Sequence, residues 1–203
     1  EQRKYFYHVL NKVKQDEEAA FYEFLSGGAG VGKSVLTRAI TQGVIRWANV
    51  QPGSEDGCSK VLVMACTNKA AANVNGTTPY TGLGIPIRTS AAAMKPLADA
   101  GGKKAELMDT LRQLKLIIID EVSMMSGYNG LLACIDKRLR QIRNCDLPFG
   151  GLPVLFVGDL FQLTPGTGLS SKSDQMIFAG NTCDSEENVA SNTVADMEID
   201  DVS

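Results

Sequence analysis

Four short strings hold the residues whose types and spacing suit chemistry. Gly27-Gly28-Ala29-Gly30-Val31-Gly32-Lys33-Ser34 fits the pattern G-x-x-x-x-G-K-[ST]. Glycines let backbone N–H groups turn inward around a polyphosphate, and a helix starting there adds a positive field. Lys33 then reaches the β and γ phosphates of a nucleotide, and Ser34 is a ligand for Mg2+. Leu116-Ile117-Ile118-Ile119-Asp120-Glu121 ends an apolar run on two carboxylates. Asp120 suits the Mg2+ shell, through water, and Glu121 suits orienting and deprotonating an attacking water. Alone, the first string also reads as a glycine-rich turn and the second as a solvated acidic turn. In this order they reinforce each other.

The other two strings leave more open. In Gly158-Asp159-Leu160-Phe161-Gln162-Leu163-Thr164-Pro165, Gln162 either touches a γ phosphate or attacking water, or belongs to a plain polar loop. Thr67-Asn68-Lys69-Ala70-Ala71-Ala72-Asn73, leading to Gly76-Thr77-Thr78-Pro79-Tyr80, offers hydroxyls, amides and a lysine. Thr67, Asn68, Lys69, Asn73 and Thr78 suit sequence-blind contacts to nucleic-acid phosphates, and Tyr80 suits stacking on a base. An ordinary strand–helix junction has the same composition.

These strings need a scaffold. Apolar runs at 21–25, 61–66, 114–119 and 153–157 are continuous rather than alternating, as in parallel strands covered on both faces. Val35, Leu36, Ala39, Ile40 and Ile45 predict a helix over 33–48, and Leu131, Leu132, Ile135, Leu139 and Ile142 predict one over 128–143. Residues 88–113 read as helical, interrupted near Gly101-Gly102. Strands alternating with helices predict an α/β fold with a doubly wound, mainly parallel sheet. Phe6, Val9, Leu10 and Val13 form the apolar face of a further helix, with His8, the one histidine, off that face and on the surface. A Ser-His-Asp triad therefore uses His8 or does not exist.

The chain has 203 residues, 44% hydrophobic and 21% charged, which suits one α/β domain with a tail. No apolar run approaches the ~20 residues of a membrane span. The net charge of −3 argues against a bulk nucleic-acid coat, but it is uneven. Up to Lys172 all twenty Lys and Arg stand against fifteen Asp and Glu; the remainder carries eight acids and no base. Five cysteines, none in CxxC spacing, read as reduced intracellular thiols rather than a disulfide framework or zinc knuckle. Residues 166–203 read as a mostly disordered acidic tail.

The four strings, in this order, resemble the first motor lobe of the petite-integration-frequency (PIF) type DNA helicases. These belong to the RecD-like branch of superfamily one, and Helitron transposon helicases are close relatives. Residues 24–34, 67–80, 120–124 and 149–163 carry the resemblance, which covers about residues 1–165. Glu1-Gln2-Arg3 is similar to the end of the family's glutamine motif, which implies that Gln2 reads adenine. Tyr80 stands where the family has His, Pro79 where it has an aliphatic residue, and Thr164 replaces the first of two prolines.

The resemblance implies a RecA-like P-loop NTPase lobe over 1–165 that binds ATP and Mg2+. It implies 5′-to-3′ translocation on single-stranded DNA and unwinding at duplex or G-quadruplex junctions. It further implies work in DNA repair, recombination and telomere maintenance, in the nucleus or alternatively the mitochondrion. The family's second lobe supplies an arginine finger, and nothing after residue 165 resembles that lobe. The expectation is thus a single lobe, whether a fragment, a truncated product or a transposon-derived copy. The competing expectation is a nucleotide- and DNA-binding module without turnover. An AAA-type ATPase fits the first two strings but not Gly158 to Leu163.

Overall fold

The computed structural model describes residues 1–15, 20–87, 89–97, 102–125 and 130–159. Four five-residue strands, β1 (Tyr22–Ser26), β2 (Val61–Ala65), β3 (Leu116–Asp120) and β4 (Val154–Gly158), form one parallel sheet in the order β1-β4-β3-β2. The chain leaves β1, crosses the sheet to β2 and steps back through β3 to β4. With right-handed connections, that reversal puts the first crossover helix on one face and the later ones on the other.

The core divides accordingly. On one face α1 (Gln2–Gln15) and α2 (Lys33–Asn49) bring Tyr5, Val9, Val13, Leu36, Ile40 and Val44 onto Leu25, Leu116, Ile118, Leu155 and Val157. On the other, α5 (Lys103–Leu111) and α6 (Leu131–Arg143) lie over Ile117, Ile119 and Val154, with Cys134, Ile135 and Leu139 of α6 in the cluster. Ile117, Ile118 and Ile119 have no exposed surface, and each contributes about 2 kcal/mol relative to an exposed side chain. Two short helices, α3 (Asn68–Asn73) and α4 (Pro79–Gly82), follow β2.

Several expectations are corrected. Strands β1, β3 and β4 each end one residue later than the apolar runs, because the pairing continues through Ser26, Asp120 and Gly158. Tyr5 joins Val9, Leu10 and Val13 on the buried face of α1, while Phe6 is half-buried against the same core and against Gly43 of α2, where a Cβ would lie 2.9 Å from its ring. Only 103–111 of the span 88–113 is α-helix among the described residues. Met94 N–H donates to Ser90 O (2.9 Å) in a single turn. Pro96 then disfavours helical geometry at Lys95 and lacks a donor, while Met94 turns into the core. α6 begins at Leu131, after Gly130 in the left-handed region (φ 67). The expected acidic tail, and Leu160 to Pro165 of the third string, lie outside the described residues. Among the described residues no helix is long and apolar enough to cross a membrane, and the cysteines at 58, 66, 134 and 145 are free.

Candidate nucleotide site and nucleic-acid face

Strand β1 runs into the glycine string, and Gly27 N–H donates to Gly158 O (3.3 Å), fastening the loop to the end of β4. Gly30 (φ 80) and Gly32 (φ 90) take left-handed conformations that a Cβ would strain. Gly32 then opens α2 with no side-chain cap. Lys33 Nζ donates to Gly27 O (2.5 Å) and Gly28 O (2.6 Å), so its ammonium is held over the loop's own carbonyls. Gly28, Ala29 and Gly30 are exposed; Val31, Lys33 and Ser34 are half-buried. Gln2, first residue of α1, donates from Nε2 to Val31 O (2.7 Å) and lies against Gly32.

The acidic pair stands two strands away. Side chains alternate along β3, so Asp120 shares the face of Leu116 and Ile118, the face that α2 covers. Asp120 is 6% exposed, and burial pushes its carboxyl up, against the Glu121 N–H bond (3.0 Å) and the Lys33 charge. Glu121 is also raised, by burial and by Asp120, with Lys33 opposing. Glu121 adopts φ 51, ψ 43, a left-handed conformation uncommon for a residue with a Cβ and concentrated at functional sites. It turns the chain into the 3-10 segment Val122–Met124.

Strand β4 lies between β1 and β3, so Asp159, the first residue past it, emerges between the phosphate loop and the acidic pair. Gln162, three residues on, lies outside the described residues. Among the described residues no group of three or more His, Cys, Asp or Glu could cage a metal. A hydroxyl at the start of α2 and one buried carboxylate nonetheless suit Mg2+, which takes one or two protein ligands and completes its shell with phosphates and water. Ser34 and Asp120 fit that role.

Beyond β2, Thr67 caps α3, its hydroxyl accepting from Ala70 N–H (3.2 Å). Thr67, Asn68, Lys69 and Asn73 are exposed. Gly76 and Thr77 return along the outer edge of β2, with Thr77 N–H donating to Val63 O (2.9 Å) and Ala65 N–H to Thr77 O (3.0 Å). Thr78 is buried, and its hydroxyl caps α4 by accepting from Thr81 N–H (3.4 Å). Of the residues expected to contact nucleic acid, it alone is buried. Tyr80 is half-buried and packs against the core. Cys66 Sγ donates to Met124 O (3.8 Å), linking this segment to the acidic loop.

One cluster was not foreseen. Glu23, in the middle of β1, is 5% exposed and accepts from three residues of α1: Tyr5 Oη (3.1 Å), His8 Nε2 (2.9 Å) and Lys12 Nζ (2.7 Å). Burial pushes its carboxyl up, but the Lys12 and His8 bonds and charges outweigh this and hold it below the usual range. The signal was present: a lone charge inside an apolar run, and three donors at i, i+3 and i+7 on one helical stripe.

The family model described as PIF1-like helicase matches residues 1–194. The ATP-dependent DNA helicase RRM3 of Saccharomyces cerevisiae is 35% identical over 159 residues, 77% of this chain and 20% of that protein. The ATP-dependent DNA helicase Pif1 of Bdellovibrio bacteriovorus is 33% identical over 145 residues, 71% of this chain and 29% of that protein. The crystal structure of Pif1 helicase from Bacteroides in complex with ADP-AlF3 and ssDNA matches with a TM-score of 0.58 at 29% identity, covering 86% of this chain and 35% of that one. The chain thus spans about a fifth to under a third of the length of these two curated relatives. A family match over most of the chain, together with the motif-bearing loops gathered at the C-terminal ends of the parallel strands, makes this chain a member of the PIF1-like helicase family.

Proposed function

We propose that this chain is the ATP-binding lobe of an ATP-dependent DNA helicase, working on single-stranded DNA. The observation that carries the reading is the Gly27–Ser34 loop, tied by Gly27 N–H to Gly158 O at the end of β4, the strand beside the one that ends on Asp120 and Glu121. Phosphates held by that loop would lie at the same end of the sheet as the two carboxylates suited to activating water. Gln2 supports an adenine nucleotide: with one N–H on Val31 O, its amide keeps a second N–H and Oε1. That pair matches the N7 acceptor and N6 donor of adenine, and not the O6 of guanine. Mg2+ held by Ser34 and Asp120 would offset phosphate charge. Glu121 is the base that positions water, and Gln162 senses the γ phosphate.

Thr67, Asn68, Lys69, Asn73 and Tyr80 form the DNA face, on the support of similarity to a Bacteroides Pif1 helicase solved with ssDNA. Finer assignments rest on the resemblance of the Asp120–Met124 and Gly158–Leu163 strings. They are unwinding at duplex or G-quadruplex junctions, repair, recombination, telomere maintenance, and a nuclear or mitochondrial location.

The test is titration with a fluorescent ATP analogue. Lys33→Ala is expected to cost about 2–3 kcal/mol, a 30–150-fold loss, as a charge-assisted contact disappears. Equal binding by both proteins refutes the site. With a second motor lobe supplied from a relative, Glu121→Gln is expected to spare ATP binding and abolish DNA-stimulated hydrolysis. Hydrolysis that survives Glu121→Gln refutes the assigned base.

A further inference from the structure

We propose that Glu23 is a positioning residue for nucleotide selection, locking α1 onto β1 so that Gln2 stands over the phosphate loop. The proposal rests on the nucleotide-site reading above and goes beyond it in assigning Glu23, Tyr5, His8 and Lys12. Strand β1 feeds directly into Gly27, and α1 reaches the loop through its first residue, Gln2, which touches Val31 and Gly32. A helix end that reads a base must hold its rotation and its slide to within a fraction of an ångström.

Apolar packing alone fixes such a helix poorly, because Val9, Leu10 and Val13 tolerate small shifts along the sheet. A buried carboxylate with three directional donors does not. Tyr5, His8 and Lys12 span two turns of α1, so rotation or slide breaks at least one bond to Glu23 and leaves the charge buried with fewer partners. Tyr5 is itself buried, and its hydroxyl donates to Glu23 Oε2 (3.1 Å). The cluster lies on the covered face of the sheet, away from the phosphates, so it touches neither nucleotide nor reacting atoms. It acts through Gln2.

The experiment measures base discrimination in residues 1–203, by displacement of a fluorescent ribose-labelled ADP with Mg·ATP or Mg·GTP. The wild type is expected to prefer ATP about tenfold, the effect of one bidentate amide–base contact. Gln2→Ala is expected to erase the preference, Glu23→Met to erase most of it, and the double variant to lose nothing further. Lys33→Ala is expected to weaken both nucleotides while keeping their ratio, which separates failure of the phosphate site from failure of this proposal. A general loss of stability would lower both affinities without moving the ratio.

Lys12→Met with His8→Leu removes two donors from the solvent side, and serves should Glu23→Met not fold. It is expected to lower the ratio in a protein that still melts cooperatively. Full ATP preference in the Glu23 or Lys12/His8 variants, alongside its loss in Gln2→Ala, overturns the proposal. So does a further drop when Glu23→Met is added to Gln2→Ala. A wild type without preference overturns both the Gln2 reading and this one.

Discussion

Gly76→Ala tests whether the edge strap beside β2 positions the DNA face. A Cβ at Gly76 would lie 2.6 Å from Val63 O, 3.0 Å from Val63 C and 3.1 Å from Val63 Cγ1. Two of these are backbone atoms of a strand paired to β3 along all five residues, so β2 cannot yield. The strap must, and with it go the Thr77–Val63 and Ala65–Thr77 hydrogen bonds. At about 1 kcal/mol net each, the loss is about 2 kcal/mol. For a domain of this size that lowers Tm by about 4–8 °C. Tyr80 and the end of α3 shift with the strap, and a displaced base–aromatic contact is worth about 1–3 kcal/mol, so affinity for a labelled oligodeoxythymidine should fall about tenfold. ATP affinity should stay within about twofold, because the phosphate loop follows β1 at the opposite edge of the sheet. Thermal melting and two titrations decide it. An unchanged Tm, or equal losses for ATP and DNA, refutes the reasoning.

Asp120→Asn is expected to stabilise the fold at neutral pH. Burial raises the Asp120 carboxyl, so its charged form costs stability. The favourable contribution of the protonated form is complete below the unfolded value of ~3.9 and is lost as pH rises through the raised folded value. The variant should therefore gain stability at pH 7, with the gain shrinking as pH falls toward 4. Urea unfolding at the two pH values checks this, and a loss at pH 7 contradicts it. Lys69→Ala should weaken single-stranded DNA binding and flatten the plot of log affinity against log salt by about 0.7, one phosphate contact. An unchanged slope removes Lys69 from the DNA face.

Strands β2, β3 and β4 were legible because they are buried on both faces and so appear as plain apolar runs, whereas the edge strand β1 alternates and carries Glu23; three of the four strands ended one residue late because Ser26, Asp120 and Gly158 are polar or lack a side chain yet still pair. The placement of Gly27–Ser34 between β1 and α2, and of Asp120-Glu121 at the end of β3, was legible because rare strings of residues mark both. The span 88–97 misled because Ala91-Ala92-Ala93-Met94 has high helix propensity, and only the restriction imposed by Pro96 argues otherwise. Thr78 looked like a phosphate contact, since a hydroxyl that caps a helix and one that meets a ligand are the same group in sequence. Glu23 was missed because its partners are remote: the carboxylate sits on a strand, the donors on a helix before it, and only packing brings them together.

The geometry of the site follows from the register of β3 more than from the site residues themselves. Asp120 faces α2 because Leu116 and Ile118 do, and a slip of one residue would send it to the opposite face. That slip is blocked twice, by five pairs with β2 and three with β4. Three fully buried isoleucines oppose it further, since no other register buries them equally. The same pairing sets Ala65 level with Asp120, so Cys66 and Thr67 leave β2 beside the acidic loop. The core thus decides where the loops proposed to hold nucleotide and nucleic acid emerge, and can carry the strained Glu121 and the buried Asp120. Substitutions of exposed loop residues such as Asn68 or Lys69 should therefore alter binding at nearly constant stability. Those in Ile117, Ile118 or Ile119 should remove both binding activities together, in proportion to the fold they unseat.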